Sequence, residues 1–139
     1  MLAEWKEADK KIREHIPELP FSNLWIAEQT SKALPNNSIL HLGILNTLRS
    51  WNCFEIPSGV EVTCNTGGFG IDGILSTAIG ASLGNAQKTV FCMIGDLAFF
   101  YDLNSLGNRH IRNNIRILLI NNGKGTEFRN YNHFGAQFG

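Results

Sequence analysis

The feature that most constrains this chain is a series of four short strand-like runs, three of which are followed by segments of helical character. The runs cover residues 38–42, 60–64, 89–94 and 115–120. Most of their residues are apolar, as in strands that are covered on both faces. Strands of this kind, separated by helices, pair in parallel. We therefore predict an α/β fold, with a parallel sheet and helices on both of its faces.

Five helices are predicted around these strands. Periodic apolar positions mark the first, and Ser22 is a plausible N-cap for the second. Proline at positions 17, 20 and 35 interrupts the helical patterns. The predicted helices cover residues 2–15, 23–33, 44–51, 71–83 and 101–109.

Composition narrows the class of protein and of partner. With 139 residues, 43% hydrophobic and 17% charged, the chain has the composition of one globular domain. Its 12 basic and 12 acidic residues cancel, so neither a nucleic acid nor an anionic membrane is expected as a partner. No run is long enough to span a bilayer. The three cysteines form no CxxC pair, which argues against a disulfide framework or zinc site, and we expect a cytoplasmic protein.

Polar residues and glycines gather where three of the predicted strands end. They occupy residues 65–70, 95–96 and 121–125. The carboxyl ends of parallel strands share one edge of a sheet, and ligands of open α/β sheets bind there. The groups on offer are one carboxylate, two side-chain amides and glycine backbone. Such hard oxygen ligands suit Mg²⁺, which commonly completes its shell with phosphates, so a Mg²⁺-diphosphate site is predicted.

Three blocks in this region are distinctive. They read GIDGILSTAIG at 70–80, IGDLAFFYDLNSL at 94–106 and LLINNGKG at 118–125. The spacing of Gly95-Asp96 from Asn121-Asn122 resembles the signature of enzymes that use thiamine diphosphate (ThDP), with Leu97 where glycine is usual. In order, the blocks are similar to one branch of that family, the menaquinone-pathway synthases of 2-succinyl-5-enolpyruvyl-6-hydroxy-3-cyclohexene-1-carboxylate. The resemblance covers residues 38–128.

The resemblance implies roles for individual residues. Mg²⁺ would be bound by Asp96, Asn122 and the backbone carbonyl of Lys124. Ile71 would support the cofactor in a bent conformation. The remaining cofactor-binding positions would be Phe69, Gly70, Gly95, Leu97, Ala98 and Asn121.

The resemblance also implies what lies elsewhere. It matches residues 1–139 to a diphosphate-binding domain alone, with 1–37 as a helical lead-in and 38–128 as the core that carries the cofactor motifs. ThDP enzymes place the activating glutamate on a separate pyrimidine-binding domain, of the same or a second subunit. We therefore expect a truncated domain, part of a longer chain, that is inactive alone and works in a homo-oligomer on a small 2-oxo acid.

At the expected substrate positions, the chain matches the menaquinone-pathway synthases only in part. Arg49 matches an arginine that the menaquinone-pathway synthases place near substrate, and Glu127 and Phe128 fall where the substrate is expected. However, Thr66 stands where those synthases usually have arginine, and Glu127 replaces an apolar residue. The alternative is a ThDP-dependent decarboxylase or acetolactate-synthase-like enzyme of a polysaccharide or secondary-metabolite pathway.

Two further alternatives belong to other classes. The chain could be a non-catalytic module that keeps the fold, in which Asp96 only caps a helix. The other alternative is a nucleotide-binding domain of the Rossmann type, but residues 67–70 lack the GxGxxG spacing of such domains. Asp72 and Asp102 are expected to bond near helix starts rather than to act on substrate.

Overall fold

The computed structural model describes residues 1–125 and Phe134. Its centre is a four-stranded sheet in which every pair of neighbouring strands is parallel, in the order β2-β1-β3-β4. The strands are β1 (Ser38–Leu42), β2 (Val60–Cys64), β3 (Thr89–Gly95) and β4 (Ile115–Ile120). The predicted parallel α/β fold is confirmed.

Within residues 1–125, five α-helices and one 3-10 helix accompany the sheet. They are α1 (Leu2–Glu14), α2 (Asn23–Ser31), α3 (Asn46–Trp51), α4 (Ile74–Gly84), α5 (Asp96–Tyr101) and the 3-10 helix Leu103–Gly107. None of the helices within the described residues is both long and apolar enough to cross a membrane.

The sheet divides the core into two apolar clusters. On one face Leu40 and Leu42 pack with Ala27 of α2 and Trp51 of α3. On the other face the buried residues of α4 pack with alternate residues of β3: Ile74, Leu75, Ala78 and Ile79 against Cys92 and Ile94. Successive strand residues point to opposite faces, so one strand supplies both clusters. The expected helices on both faces are confirmed.

Side-chain hydrogen bonds fix the helix ends. Ser22 has extended backbone and its Oγ accepts from the N–H of Trp25 at 3.2 Å, as expected of the N-cap of α2. At the far end of α4, the amide nitrogen of Asn114 donates to the carbonyls of Ser82, Asn85 and Lys88, at 2.9–3.2 Å. This side chain satisfies carbonyl groups that a helix terminus leaves open.

Three predicted helix boundaries were wrong. The helix after β1 begins at Asn46, because Leu45 has φ +65° and cannot be helical. The next helix begins at Ile74, because Gly73 has φ +73°. Instead of a helix over 101–109, α5 starts directly at Asp96, where an acidic residue favours the first turn, and the 3-10 helix covers only Leu103–Gly107.

Candidate functional site

A cavity of about 300 Å³ opens at the carboxyl edge of the sheet. Three strand ends contribute to it, those of β1, β3 and β4, together with the start of α2. Its walls are mostly apolar, with a small number of polar groups at one side, as is usual for ligand sites. The lining residues are Asn23, Gly43, Ile44, Leu45, Asn46, Thr47, Ile71, Gly95, Asp96, Leu97, Ala98, Ile120, Asn122, Lys124 and Gly125.

Asp96 is the buried charged residue of this cavity, only 7% exposed. It is the first residue of α5, directly after β3. Its Oδ1 accepts from the N–H of Leu97 at 2.8 Å, and its Oδ2 accepts from the N–H of Gly123 at 2.7 Å. Each oxygen keeps a further lone pair, so the carboxylate is oriented and still able to bind a cation.

Asp96 forms no salt bridge with a lysine, arginine or histidine among the described residues. A buried carboxylate is costly unless it is paired or coordinates a metal. The described residues hold no cluster of three His, Cys, Asp or Glu side chains. The described residues would offer a metal here amide and backbone oxygens beside this single carboxylate, and such hard oxygen ligands suit Mg²⁺ rather than zinc.

Asn122 and Lys124 lie on the loop after β4 and line the same cavity as Asp96. The Oδ1 of Asn122 accepts from the N–H of Lys124 at 3.0 Å, which holds this loop in a tight turn. The bond from Gly123 to Asp96 joins the same loop to the end of β3. Asp96 and Asn122, which a helix and a strand separate in the chain, therefore line one cavity.

The wall from β1 contains a strained residue. Leu45 has φ +65° and ψ −122°, a conformation that residues with a Cβ rarely adopt. Backbone strain of this kind costs on the order of 1–3 kcal/mol and concentrates at functional sites. Ile71 contributes an apolar side chain to the same cavity.

The loop after β2 forms a second hollow, similar in volume to the main cavity. It has a volume of about 330 Å³ and is lined by Asn65, Gly67, Gly68, Gly70 and Asp72. Phe69, at the tip of this loop, is 66% exposed and has φ +37°. A Cβ on Gly70 would lie 2.1 Å from Asp72 Oδ1, so this position accepts only glycine unless the carboxylate moves.

The structure brings seven of the predicted site residues to the main cavity: Ile71, Gly95, Asp96, Leu97, Ala98, Asn122 and Lys124. It does not place Asn121, Phe69 or Gly70 in the lining, and Arg49 is exposed on α3, with Nη1 3.3 Å from Asn46 Oδ1. Glu127 and Phe128 lie outside the described residues.

The sequence reasoning missed the contribution of β1. Residues 43–47 and Asn23 line the cavity, but they lack the polar clustering that marked the other strand ends. The available signal was Gly43, which follows a strand-like run at the same sheet edge. A side chain there would lie 3.3 Å from the Met93 carbonyl, so glycine permits close approach to β3.

Comparison with known proteins decides the family. The sequence profile described as "Thiamine pyrophosphate enzyme, C-terminal TPP binding domain" matches residues 52–133. The chain belongs to this family. The match includes Ile71, Asp96 and Asn122 and confirms the expected cofactor, ThDP.

Curated relatives of the family agree with the expected branch. A protein of Bacteroides thetaiotaomicron named 2-succinyl-5-enolpyruvyl-6-hydroxy-3-cyclohexene-1-carboxylate synthase is 44% identical over 124 residues, 89% of this chain and 22% of its own length. Proteins with the same name from Christiangramia forsetii and Desulfotalea psychrophila are 40% and 43% identical, over 84% and 69% of this chain. The chain spans about a fifth of the length of these relatives.

Proposed function

We propose that this chain is the diphosphate-binding domain of a Mg²⁺- and ThDP-dependent enzyme that decarboxylates a 2-oxo acid and joins the product to an acceptor. The observation that carries the proposal is the buried carboxylate of Asp96, which lines a cavity together with Asn122 and forms no salt bridge with any described residue. A Mg²⁺ ion would supply the missing positive charge. The diphosphate would supply further oxygen ligands.

The proposed metal ligands are Asp96, the side chain of Asn122 and the backbone carbonyl of Lys124. The two bonds to Asp96 from Leu97 and Gly123 hold the carboxylate in place. Outer-shell partners of this kind orient a metal ligand and support its affinity. Because Leu97 N–H already donates to Asp96, contact of this amide with the diphosphate requires Asp96 Oδ1 to turn toward the metal. Ala98 is the second proposed diphosphate contact.

Other residues would shape the rest of the cofactor site. We assign to Ile71 the support of the bent cofactor, and its place in the cavity wall favours this role. Gly95 and Asn121, at the ends of β3 and β4, would shape the diphosphate end of the site. Phe69 and Gly70 would offer backbone groups to the aminopyrimidine ring. Bound in this way, the cofactor acts as an electron sink during decarboxylation. The protein contributes orientation and the exclusion of water.

The substrate and the pathway are also proposals. The names of the relatives support a carboligase of menaquinone biosynthesis acting on a 2-oxo acid. Arg49, Glu127 and Phe128 are the substrate positions that we propose in this domain. Residues 1–37 would be a lead-in to the core at 38–128, and the domain alone would be inactive.

The partner that we propose is a pyrimidine-binding domain, from the same or a second subunit of a homo-oligomer. An exposed apolar surface beside the cavity supports this. Its members, on α5 and the 3-10 helix, are 40–72% exposed: Phe100, Tyr101, Leu103 and Leu106. Apolar surface of this kind is typical of interfaces.

We assign the protein to the cytoplasm, because all three cysteines are free thiols.

Calorimetry on the full-length protein tests the proposal. ThDP is titrated with Mg²⁺ into wild type and into Asp96→Ala, with Asp9→Ala as a control. Asp9 is an exposed carboxylate that pairs with Arg13 on α1. The loss of a metal ligand should exceed the roughly tenfold to hundredfold cost of losing an outer-shell partner, while the control should bind as wild type does. Unchanged affinity in Asp96→Ala would refute the assignment.

A further inference from the structure

Helix α4 receives its N-terminal cap from a distant residue. Asp102, which follows α5, accepts a hydrogen bond through Oδ2 from the backbone N–H of Ser76 at 2.6 Å. Ser76 is the third residue of α4, and the two residues are 26 positions apart in the chain. The residue at the local N-cap position is Gly73, which has no side chain that could cap the helix.

A carboxylate at this position stabilises the start of α4 in two ways. The first N–H groups of an α-helix have no partner within the helix, and the helix dipole makes that end positive. A carboxylate satisfies both, because it accepts the hydrogen bond and brings negative charge. Hydrogen bonds with one charged partner are stronger than neutral ones. Asp102 is half-buried and Ser76 is exposed, so the bond lies at the protein surface, where water and salt screen part of its strength.

Each of the two elements joined by this bond lies next to a residue of the cavity wall. Helix α5, which Asp102 follows, begins at Asp96, whereas α4 begins three residues after Ile71. Asp96 and Ile71 both line the cavity. Asn65 anchors the same end of α4, since its Nδ2 lies 3.2 Å from the Gly73 carbonyl and 3.1 Å from Thr77 Oγ1. Asn65 joins the loop after β2 to the start of α4. Asp102 instead joins α4 to α5, the helix that begins with the proposed metal ligand Asp96.

We infer that Asp102 is a positioning residue for the cofactor, one that fixes the separation between Ile71 and Asp96. The inference rests on the proposed function, since it assigns one end of the cofactor to each of these residues. It makes a selective prediction. A ligand that spans both ends needs the two elements at a fixed separation, whereas a ligand held only at the Asp96 end does not.

Two probes separate these cases in the full-length protein. One is ThDP with Mg²⁺, and the other is inorganic pyrophosphate with Mg²⁺. In Asp102→Ala we expect the dissociation constant for ThDP to rise roughly tenfold or more, which is the loss of one charge-assisted bond. Pyrophosphate affinity should stay within about twofold of wild type. Asp102→Asn keeps an acceptor oxygen and should recover most of the ThDP affinity.

Asn114→Ala is the matched structural control. Asn114 holds the opposite end of α4 through three carbonyls, so its loss destabilises the same helix without touching its start. Its ThDP affinity should remain near that of wild type at a temperature where the variant is folded. Should Asp102→Ala fail to fold, Asp102→Glu displaces the same contact while keeping the charge, and the same selective loss is expected.

The outcomes are distinct. A selective loss of ThDP affinity in Asp102→Ala, with recovery in Asp102→Asn, supports the inference. Equal loss for both probes, or losses no larger than in Asn114→Ala, overturns it while wild-type binding leaves the proposed function intact. If wild type binds neither probe, the proposed function fails, and the inference fails with it.

Discussion

Gly123 donates its backbone N–H to Oδ2 of Asp96 across 2.7 Å, and so ties the loop after β4 to the start of α5. Gly123 has φ +63°, in the region where a side chain is strained, although a Cβ there would meet no atom of the described residues within 4 Å. Any cost of a side chain at this position is therefore conformational rather than steric.

Gly123→Ala should lower the free energy of unfolding by about 1 kcal/mol, since alanine disfavours positive φ. Gly107→Ala is the control: its Cβ also meets no atom within 4 Å, but its φ is not positive. That variant should be neutral or slightly stabilising. Denaturant unfolding of both variants tests this, and equal effects would contradict the conformational explanation.

A second prediction concerns pH. Burial lowers the pKa of His41 below its usual value of 6.5. Its Nδ1 lies 2.8 Å from Thr63 Oγ1, and its Nε2 has no hydrogen-bond partner among the residues that the structure describes. The fold therefore favours the neutral ring. Stability should be complete above about pH 6.5 and should fall as pH drops toward the lowered pKa, because the unfolded chain then binds more protons.

The His41 prediction is tested by urea unfolding between pH 5 and pH 8, where one such group adds a slope of at most about 1.4 kcal/mol per pH unit. His41→Leu should reduce this slope below pH 6.5. His110→Leu, at an exposed position, should keep it. A slope unchanged in His41→Leu would show that the pH dependence comes from other groups.

A third prediction orders the reactivity of the cysteines. Cys53 is exposed, Cys64 is partly buried and Cys92 is buried. Burial raises the pKa of the Cys92 thiol to about 12, with a smaller contribution from the charge of Asp102, and burial also raises the pKa of Cys64. Because the thiolate is the reactive form, iodoacetamide should modify Cys53 first and Cys92 last.

Mass spectrometry of partially alkylated protein gives this order. In denaturant all three cysteines should react at similar rates, which serves as the control for intrinsic reactivity. Modification of Cys92 at the rate of Cys53 in the native protein would contradict the burial of β3.

A fourth prediction tests the core of the sheet. Leu40 is fully buried in β1, whereas Val62 on the edge strand β2 is 48% exposed. Leu40→Ala should cost about 3 kcal/mol of unfolding free energy, from lost burial and the cavity it leaves. Val62→Ala should cost well under 1 kcal/mol. Chemical unfolding of both variants measures the difference, and similar losses would mean that β1 is not an interior strand of the sheet.

The sequence predicted the strands well, because a buried parallel strand has a simple signal: a short apolar run followed by glycine or polar residues. The start of α3 could not be predicted, since nothing in the residue type of Leu45 announces a positive φ; the surrounding contacts impose it. The start of α5 at Asp96 was missed for a related reason. Gly95-Asp96 has the composition of a loop, and helix formation there depends on the tertiary contacts of its neighbours.

The candidate site could be predicted where residues with oxygen-bearing side chains directly follow the strands. Asp96 and Asn122 carry oxygen ligands directly after strands, so their convergence follows from parallel topology. The apolar lining residues Ile44 and Leu45 carry no such chemical signal. The sequence could not predict that Ser76 is the hydrogen-bond partner of Asp102, because the two residues are 26 positions apart and only the folded chain brings them together. Only the expectation that Asp102 bonds near a helix start could be made, and the structure confirms it.

The cavity is lined by residues from Asn23 to Gly125, drawn from nearly the whole described chain. During synthesis Asp96 leaves the ribosome before Gly123, whose N–H holds its carboxylate in place. A nascent chain that has reached only the start of α5 thus has Asp96, the proposed metal ligand, without the loop that orients its carboxylate. Cofactor capture is then a late event in biosynthesis, and a ligand that binds only the assembled sheet acts as a check that the domain has been completed.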